Sequence, residues 1–284
     1  MTPAELLVEV AGPLTTVQDL GRPGYAHLGV PRSGALDPPA LMLGNRLVGN
    51  PPSAAGLEIT LGPFHAVATH PGTIALTGAA APLRVGGRPA PINAPVAVRA
   101  GDRIEVGRAV SGLRPYLAVA GGLTPPAVLA SRSTDVLSQL GPPVIRPGDR
   151  LPVGPFSSAP AAVDLAPRPA LGGPLSLRIS WGPRADWFAS AGVLTSAEYR
   201  ITSESNRVGA RLSGPRLSRS DAAAELPSEG IVLGAIQVPA DGQPLIFLAD
   251  HPTTGGYPVI AVVAATDLPQ LAQARPGEAV TFLA

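Results

Sequence analysis

Cysteine is absent from the 284-residue chain. That excludes disulfides, thiolate nucleophiles and cysteine-ligated zinc. Lysine is absent as well, so all 21 basic residues are arginine. A lysine Schiff base, a Walker-type phosphate loop with its lysine, and a covalently attached biotin are therefore impossible within these residues. Aromatic residues contribute only 4% and charged residues 14%, against 45% hydrophobic. This describes a globular chain rather than a disordered one. Long apolar runs are also missing: "VIAVVAA", Val259 to Ala265, falls far short of the ~20 residues that cross a bilayer. A formal net charge of +1 gives no footprint for nucleic acid or an acidic membrane. The opening "MTPAELLVEV" lacks the basic start of a secretory signal, and the expectation is a cytoplasmic protein.

Turn residues are abundant, with 35 prolines and 33 glycines. Proline removes a backbone donor and glycine costs about 1 kcal/mol inside a helix, so long helices are disfavoured. Short apolar or alternating runs bounded by turns, such as "AVATHPGTIALTGA", "PLSLRISWG" and "QPLIFLAD", predict an all-β chain with a few short helices. One helix is expected after Asp37 as N-cap, with Pro38 in its first turn and Gly49 past its end. Others are expected near Thr266 to Arg275 and Arg184 to Ala189. A phrase recurs as "RAGDRIEV" at Arg99, "RPGDRLPV" at Arg146 and "RPGEAVTF" at Arg275. Each places an arginine, a glycine turn and an acid before a strand. The proline- and alanine-rich stretch Pro155 to Pro174 reads as a linker between two lobes, at residues 1–165 and 166–284.

The histidines make no metal site. His65 and His70 are an odd number apart and fall on opposite faces of a strand. His27 and His251 stand alone, and no H-E-x-x-H or G-x-S-x-G motif occurs. Candidate chemistry lies in three other segments. "TTVQDLGRPGYAHLGVPRSGALD", Thr15 to Asp37, combines glycines that allow close backbone approach with Arg22 and Arg32, which can fork onto a carboxylate or phosphate. Asp19 pairing with Arg22 to brace the loop is an equally good reading. "SNRVGARLSGP" adds Asn206 and Arg207. "SEGIVLGAIQVPADGQPLIFLADHPTTGGYP" places Glu229, Gln237 and Asp250 at strand ends beside Thr254 and Tyr257, an arrangement that suits either acid–base work or edge capping.

In this order the three segments resemble the family of the 5-oxoprolinase C subunit, also described as allophanate hydrolase subunit 2 or the biotin-dependent carboxyltransferase family that includes KipA. The resemblance implies two cyclophilin-like β-barrel lobes. It implies a hydrolase subunit, active within a complex, that contributes to ATP-dependent opening of 5-oxoproline to L-glutamate. Its partners would be the KipI-like B component and the A component of 5-oxoprolinase, and ATP would be bound by or shared with them. The alternatives are a carboxyltransferase component acting on urea or a similar amide, and a KipA-like regulatory binding module. Carboxyltransferase members often read "QTTGGYPKI" where this chain has "HPTTGGYPVI". Val259 thus replaces a lysine, which disfavours that alternative.

Both chemistries polarise an amide-like carbonyl and stabilise developing negative charge with donors. On the lactam reading Arg22, Arg32 or Arg207 would hold the substrate carboxylate, with Asn206, Gln237, Thr254 and Tyr257 lining the site. Asp19, Asp37, Glu229 or Asp250 would handle protons. No metal is expected.

Overall fold

The computed structural model describes residues 3–156, 158–167, 171–220 and 226–284. Within the expected linker, residues 157 and 168–170 lie outside the described residues. The chain is mainly β and divides into two compact units. Unit 1 comprises Met1–Arg22, Asp37–Asp135 and Gln139–Leu171; unit 2 comprises Pro23–Leu36, Val136–Ser138 and Gly172–Ala284. The segment Thr15 to Asp37 is therefore divided between them.

Unit 1 holds β1 (Glu5–Val10), β2 (Leu14–Gln18), α1 (Pro38–Leu47), β3 (Gly56–Thr60), β4 (Phe64–Ala68), β5 (Gly72–Ala80) and β6 (Leu83–Val85). It continues with β7 (Arg88–Ala90), β8 (Val96–Val98), β9 (Arg103–Val106), β10 (Ser111–Val119) and β11 (Arg150–Pro152). One sheet runs β11-β1-β4-β9-β6-β7 and the other β2-β3-β10-β5-β8. Alternation explains the core: in β4, Phe64, Ala66 and Ala68 are buried while His65 and Val67 are only partly so. Leu6, Leu57, Ile59, Ile74 and Ile104 join them in a single cluster. Helix α1 begins as its sequence demands. The Asp37 side chain accepts from the Ala40 N–H at 3.1 Å, and Pro38, lacking an N–H, occupies the first turn. Gly44 lets α1 lie on the second sheet, because a Cβ there would stand 3.1 Å from Ala118 Cβ and 3.2 Å from Thr77 Oγ1.

Unit 2 holds β12 (Leu175–Trp181), α2 (Val193–Ser196), β13 (Tyr199–Ile201), β14 (Gly209–Ser213), β15 (Glu229–Gly230) and β16 (Ala235–Gln237). Then follow β17 (Leu245–Phe247), β18 (Thr254–Gly255), β19 (Val259–Val263), α3 (Leu268–Gln273) and β20 (Ala279–Leu283). Seven strands close a barrel in the order β12-β19-β16-β17-β14-β13-β20, while β15 and β18 form a separate two-stranded ladder. Barrel closure is thus seen in unit 2, whereas unit 1 wraps its core with two sheets. Leu177, Ile236, Ile246, Ile260 and Val280 are fully buried in the barrel. Each contributes about 1.5–3 kcal/mol of hydrophobic burial. Tyr199 meets Phe282 edge-on at 6.0 Å, and burial pushes the Tyr199 phenol up to about 12. The expected helix at Arg184 to Ala189 is a single tight turn, Ala185–Trp187.

The recurring phrase folds the same way three times. Asp102, Asp149 and Glu278 each donate their N–H to the carbonyl three residues back, at Arg99, Arg146 and Arg275. Their carboxylates accept the N–H of those same arginines at 2.8, 2.7 and 3.2 Å. The intervening Gly101, Gly148 and Gly277 have φ of 86°, 94° and 89°, as the third position of a type II turn requires. The turns feed β9, β11 and β20, so a local chemical pattern sets strand entry in both units.

Candidate functional site: an accessible Arg184–Glu229 pair and a buried brace

The acids and arginines singled out in the sequence have different environments. At the end of β2, Asp19 Oδ1 accepts from Gly21 N–H at 2.8 Å, Ser131 Oγ at 2.7 Å and Ser133 Oγ at 2.5 Å. Its Oδ2 accepts from Arg132 N–H at 2.6 Å. Arg22 turns to the Ser133 carbonyl rather than to Asp19. Both residues therefore tie the start of the first segment to residues 131–133. The Arg22 guanidinium is buried, and its Nε and Nη1 have no hydrogen-bond partner among the described residues. Asp37 caps α1, and its backbone N–H donates to Tyr116 Oη at 2.8 Å. Tyr116 donates in turn to Glu58 Oε2 at 2.6 Å. Burial, reinforced by the Glu58 and Asp37 charges, holds the Tyr116 phenol well above its ordinary range.

Within unit 2 all three segments meet at one point. Arg207 donates through Nε to Asp250 Oδ2 at 2.8 Å, and through Nη2 to Asp250 Oδ1 at 3.0 Å and the Gly34 carbonyl at 2.7 Å. Asp250 also accepts Ser33 Oγ at 2.5 Å and Val136 N–H at 3.1 Å. Neither Arg207 nor Asp250 side chain is exposed. With four donors on its two oxygens, the Asp250 carboxylate is saturated. This cluster joins residues 33–34, 136, 207 and 250, and its chemistry is that of a brace. Asn206 shapes the adjoining turn, its Oδ1 accepting the N–H groups of Val208 at 2.8 Å and Gly209 at 3.3 Å. Arg32 is exposed.

The remaining candidates gather around the β15/β18 ladder, where Glu229 lies opposite Gly255 and Gly230 opposite Thr254. The Glu229 carboxylate pairs with two nitrogens of the Arg184 guanidinium, Nε to Oε2 at 3.4 Å and Nη2 to Oε1. Unlike the brace, this pair is reached by solvent, with side-chain exposures of 32% for Arg184 and 37% for Glu229. Its hydrogen bond to the Glu229 carboxylate raises the Arg184 guanidinium above its ordinary range. Arg184 also lies over the Trp187 ring, 5.3 Å from the centroid, a cation–π contact that fixes its plane. Gln237 is buried and donates Nε2 to the Tyr257 carbonyl at 2.8 Å. Gly255 permits this approach: a Cβ there would meet Ile231 Cδ1 at 2.6 Å and Gln237 Nε2 at 3.1 Å. Thr254 and Tyr257 are exposed.

Sequence reasoning did not single out Arg184 and Trp187, which the structure places with the candidate Glu229. The signal was present in "WGPRADW", where both tryptophans of the chain flank one arginine. His65 and His70 are separately engaged, by Arg103 at 3.1 Å and Thr69 at 2.9 Å. Among the described residues no group of three His, Asp or Glu side chains is placed to hold a metal, and no helix is long and apolar enough to cross a membrane.

A two-unit, mainly β chain with a closed barrel and an accessible arginine–carboxylate pair defines the structural class. The chain belongs to the family of the carboxyltransferase domain, subdomain A and B, which it matches over residues 28–284. It is 39% identical to the 5-oxoprolinase C subunit of Escherichia coli strain K12, over 96% of this chain and 89% of that protein. The corresponding protein of Haemophilus influenzae is 34% identical, over 94% and 87%. Urea amidolyase of Saccharomyces cerevisiae is 32% identical over 99% of this chain, which spans only 17% of that protein. Among solved structures, urea amidolyase of K. lactis superimposes with a TM-score of 0.91 at 30% identity, covering 100% of this chain and 19% of that one. TTHA0988 gives 0.90 at 35% identity, with the chain spanning 99% of its own length and 56% of that structure.

Proposed function

We propose that this chain is the C subunit of an ATP-dependent 5-oxoprolinase, taking part in the opening of 5-oxoproline to L-glutamate. The observation that carries the reading is the identity to two 5-oxoprolinase C subunits over nearly their whole lengths. With no lysine in the sequence, a Walker-type loop does not fit here. We assign ATP to a site bound by or shared with a partner, the A component or the KipI-like B component, where it would supply phosphoryl activation of the lactam oxygen.

Glu229 is the acid we assign to proton handling. Asp19 and Asp250 are consumed by several donors each, and Asp37 caps α1. Glu229 faces solvent on a short ladder beside Thr254. It would take a proton from water attacking the phosphorylated lactam carbon while the ring C–N bond breaks and the nitrogen gains a proton, and a second water would then hydrolyse the resulting acyl phosphate to the glutamate carboxylate and inorganic phosphate. Arg184 would hold anionic charge next to it, in a plane set by Trp187.

Transfer of a carboxyl group to urea or a similar amide is the second reading, favoured by superposition of the whole chain on 27% of the urea carboxylase of Kluyveromyces lactis at a TM-score of 0.91. The test is reconstitution. Combined with homologues of the A and B components, the chain should release glutamate from 5-oxoproline only when ATP is present. Glutamate release that persists without this chain, or none above controls with all three, overturns the proposal. Transfer of labelled carboxyl from carboxybiotin to urea establishes the second reading instead.

A further inference from the structure

Beside β7, the free end strand of one sheet of unit 1, the surface carries a shallow groove of about 480 Å³. Its walls come from the connection between β5 and β6, from β7, and from Ile92 and Val110. Backbone bonds hold this shape. Val110 N–H donates to the Ala80 carbonyl at 2.7 Å, and Gly107 N–H to the Pro82 carbonyl at 2.8 Å. Gly107 lies so close to Pro82 that a Cβ there would stand 3.3 Å from its ring. The open side is apolar: Val110 is 70% exposed, and Pro82 and Pro89 also face water. Ile92 is shared with a neighbouring hollow of about 370 Å³, where Leu165 is 64% exposed. Single exposed apolar side chains are ordinary, but a continuous strip of them along a concave surface marks an interaction site.

Charge decides what fills it. Arg84 lines the groove with its side chain 51% exposed. Arg88 precedes Pro89, Arg108 stands two residues before Val110, and both are exposed. Neither has an ion-pair partner among the described residues. Among the described residues no carboxylate lines either hollow. Glu105, 3.9 Å from Arg84, is already held by Arg103 at 2.9 Å. A guanidinium is forked and weakly hydrated, which suits it to a carboxylate at an interface. A second copy of the chain would set these arginines against their own kind across a two-fold contact. A flat bilayer would not enter a concave groove. The complement in both shape and charge is a protein segment that carries apolar side chains between carboxylates.

We propose that the groove bounded by Pro82, Ile92 and Val110 docks an acidic segment of a partner protein, with an apolar side chain seated in it and carboxylates on Arg84, Arg88 and Arg108. The inference rests neither on the reaction proposed above nor on Glu229. The probe is a fluorescent synthetic peptide of leucine and glutamate, with a leucine–lysine peptide of the same length as its counterpart. Each is titrated into the full chain and followed by anisotropy and by the methyl signals of the protein. Saturable binding of the acidic peptide alone is expected, weakening as salt is raised, with the Ile92 and Val110 methyl signals shifting in step. Val110→Asp should weaken binding about tenfold or more, and Arg88→Glu and Arg108→Glu about threefold or more each. Val232→Asp, at an exposed position of unit 2, should leave it unchanged. In the wild-type chain, with no variant needing to fold, the proposal is overturned by a lack of saturable binding of the acidic peptide, by equal binding of the lysine peptide, or by Ile92 and Val110 signals that stay still. Binding to phosphatidylserine vesicles in place of the peptide makes a membrane the occupant and overturns it too. So does a concentration-dependent dimer that Val110→Asp dissociates, which makes the occupant a second copy.

Discussion

The Arg207 guanidinium and the Asp250 carboxylate face each other at 2.8 Å with no solvent exposure on either side chain. Ser33 and Gly34 close the cluster from one side and Val136 from another. Removing one charge from such a pair strands the other in a medium that cannot solvate it. Asp250→Asn should therefore cost about 3–5 kcal/mol of unfolding free energy, read by urea denaturation. A change below about 1 kcal/mol, the size of an ordinary exposed pair, would show that the brace is dispensable and return Asp250 to the catalytic candidates.

Asp19 carries a similar prediction in unit 1. Its two oxygens accept from Gly21, Ser131, Arg132 and Ser133, and charge-assisted bonds are the stronger kind. Asp19→Asn should lower stability by about 2–4 kcal/mol. Loss of activity in a reconstituted complex would then track loss of folded protein. Unfolding that stays unchanged while activity disappears would give Asp19 a direct chemical role.

What could be read from the sequence was the local chemistry. The Asp37 cap, the Pro38 start and the three arginine–glycine–acid turns each depend on residues within four positions of one another. The mainly β character followed from the density of glycine and proline. Partners brought together by the tertiary fold were not legible. Ser33 reaches Asp250 across 217 positions and Arg207 across 43, and no periodicity encodes those separations. Hence Asp250 and Arg207 read as site residues from their glycine-rich surroundings, while their burial and mutual pairing emerge only from the fold. Arg184 was overlooked for the opposite reason: its turn read as a short helix, and the role of its guanidinium appears only once β15 delivers Glu229.

The turns supply a prediction of their own. A Cβ on Gly101, Gly148 or Gly277 would meet nothing within 4 Å, so alanine at each position is penalised only for a positive φ. The three substitutions should destabilise by nearly equal amounts, about 1 kcal/mol apiece. Thermal melts of the three variants provide the comparison, and a widely unequal set would mean that the turns are not equivalent.

For Glu229 the expected signature is the reverse of that for Asp250. Its half-exposed pair with Arg184 contributes about 0–1 kcal/mol to stability, whereas loss of a general base costs about 10²–10⁴ in rate. Glu229→Gln should thus melt within a few degrees of wild type while the reconstituted complex loses at least a hundredfold in kcat. Full activity in that variant would remove Glu229 from the mechanism.

Asp267 sets an acid limit on unit 2. It holds Arg178 at three points, accepting Nη2 at Oδ1 (2.6 Å) and both Nε (3.0 Å) and the backbone N–H (2.8 Å) at Oδ2. The side-chain hydrogen bond from Arg178 lowers the Asp267 carboxyl below its ordinary range. An acid whose folded pKa is depressed stabilises the fold above its unfolded value, about 3.9, and loses that contribution as pH falls through the folded value. Asp267→Asn has no such proton to take up. At pH 7 it should be the less stable protein, and between about pH 4 and pH 2 the gap to wild type should narrow. Urea midpoints measured across that range provide the check. A gap that stays constant down to about pH 2 would show that the Arg178 contact acts through packing rather than through the carboxylate charge.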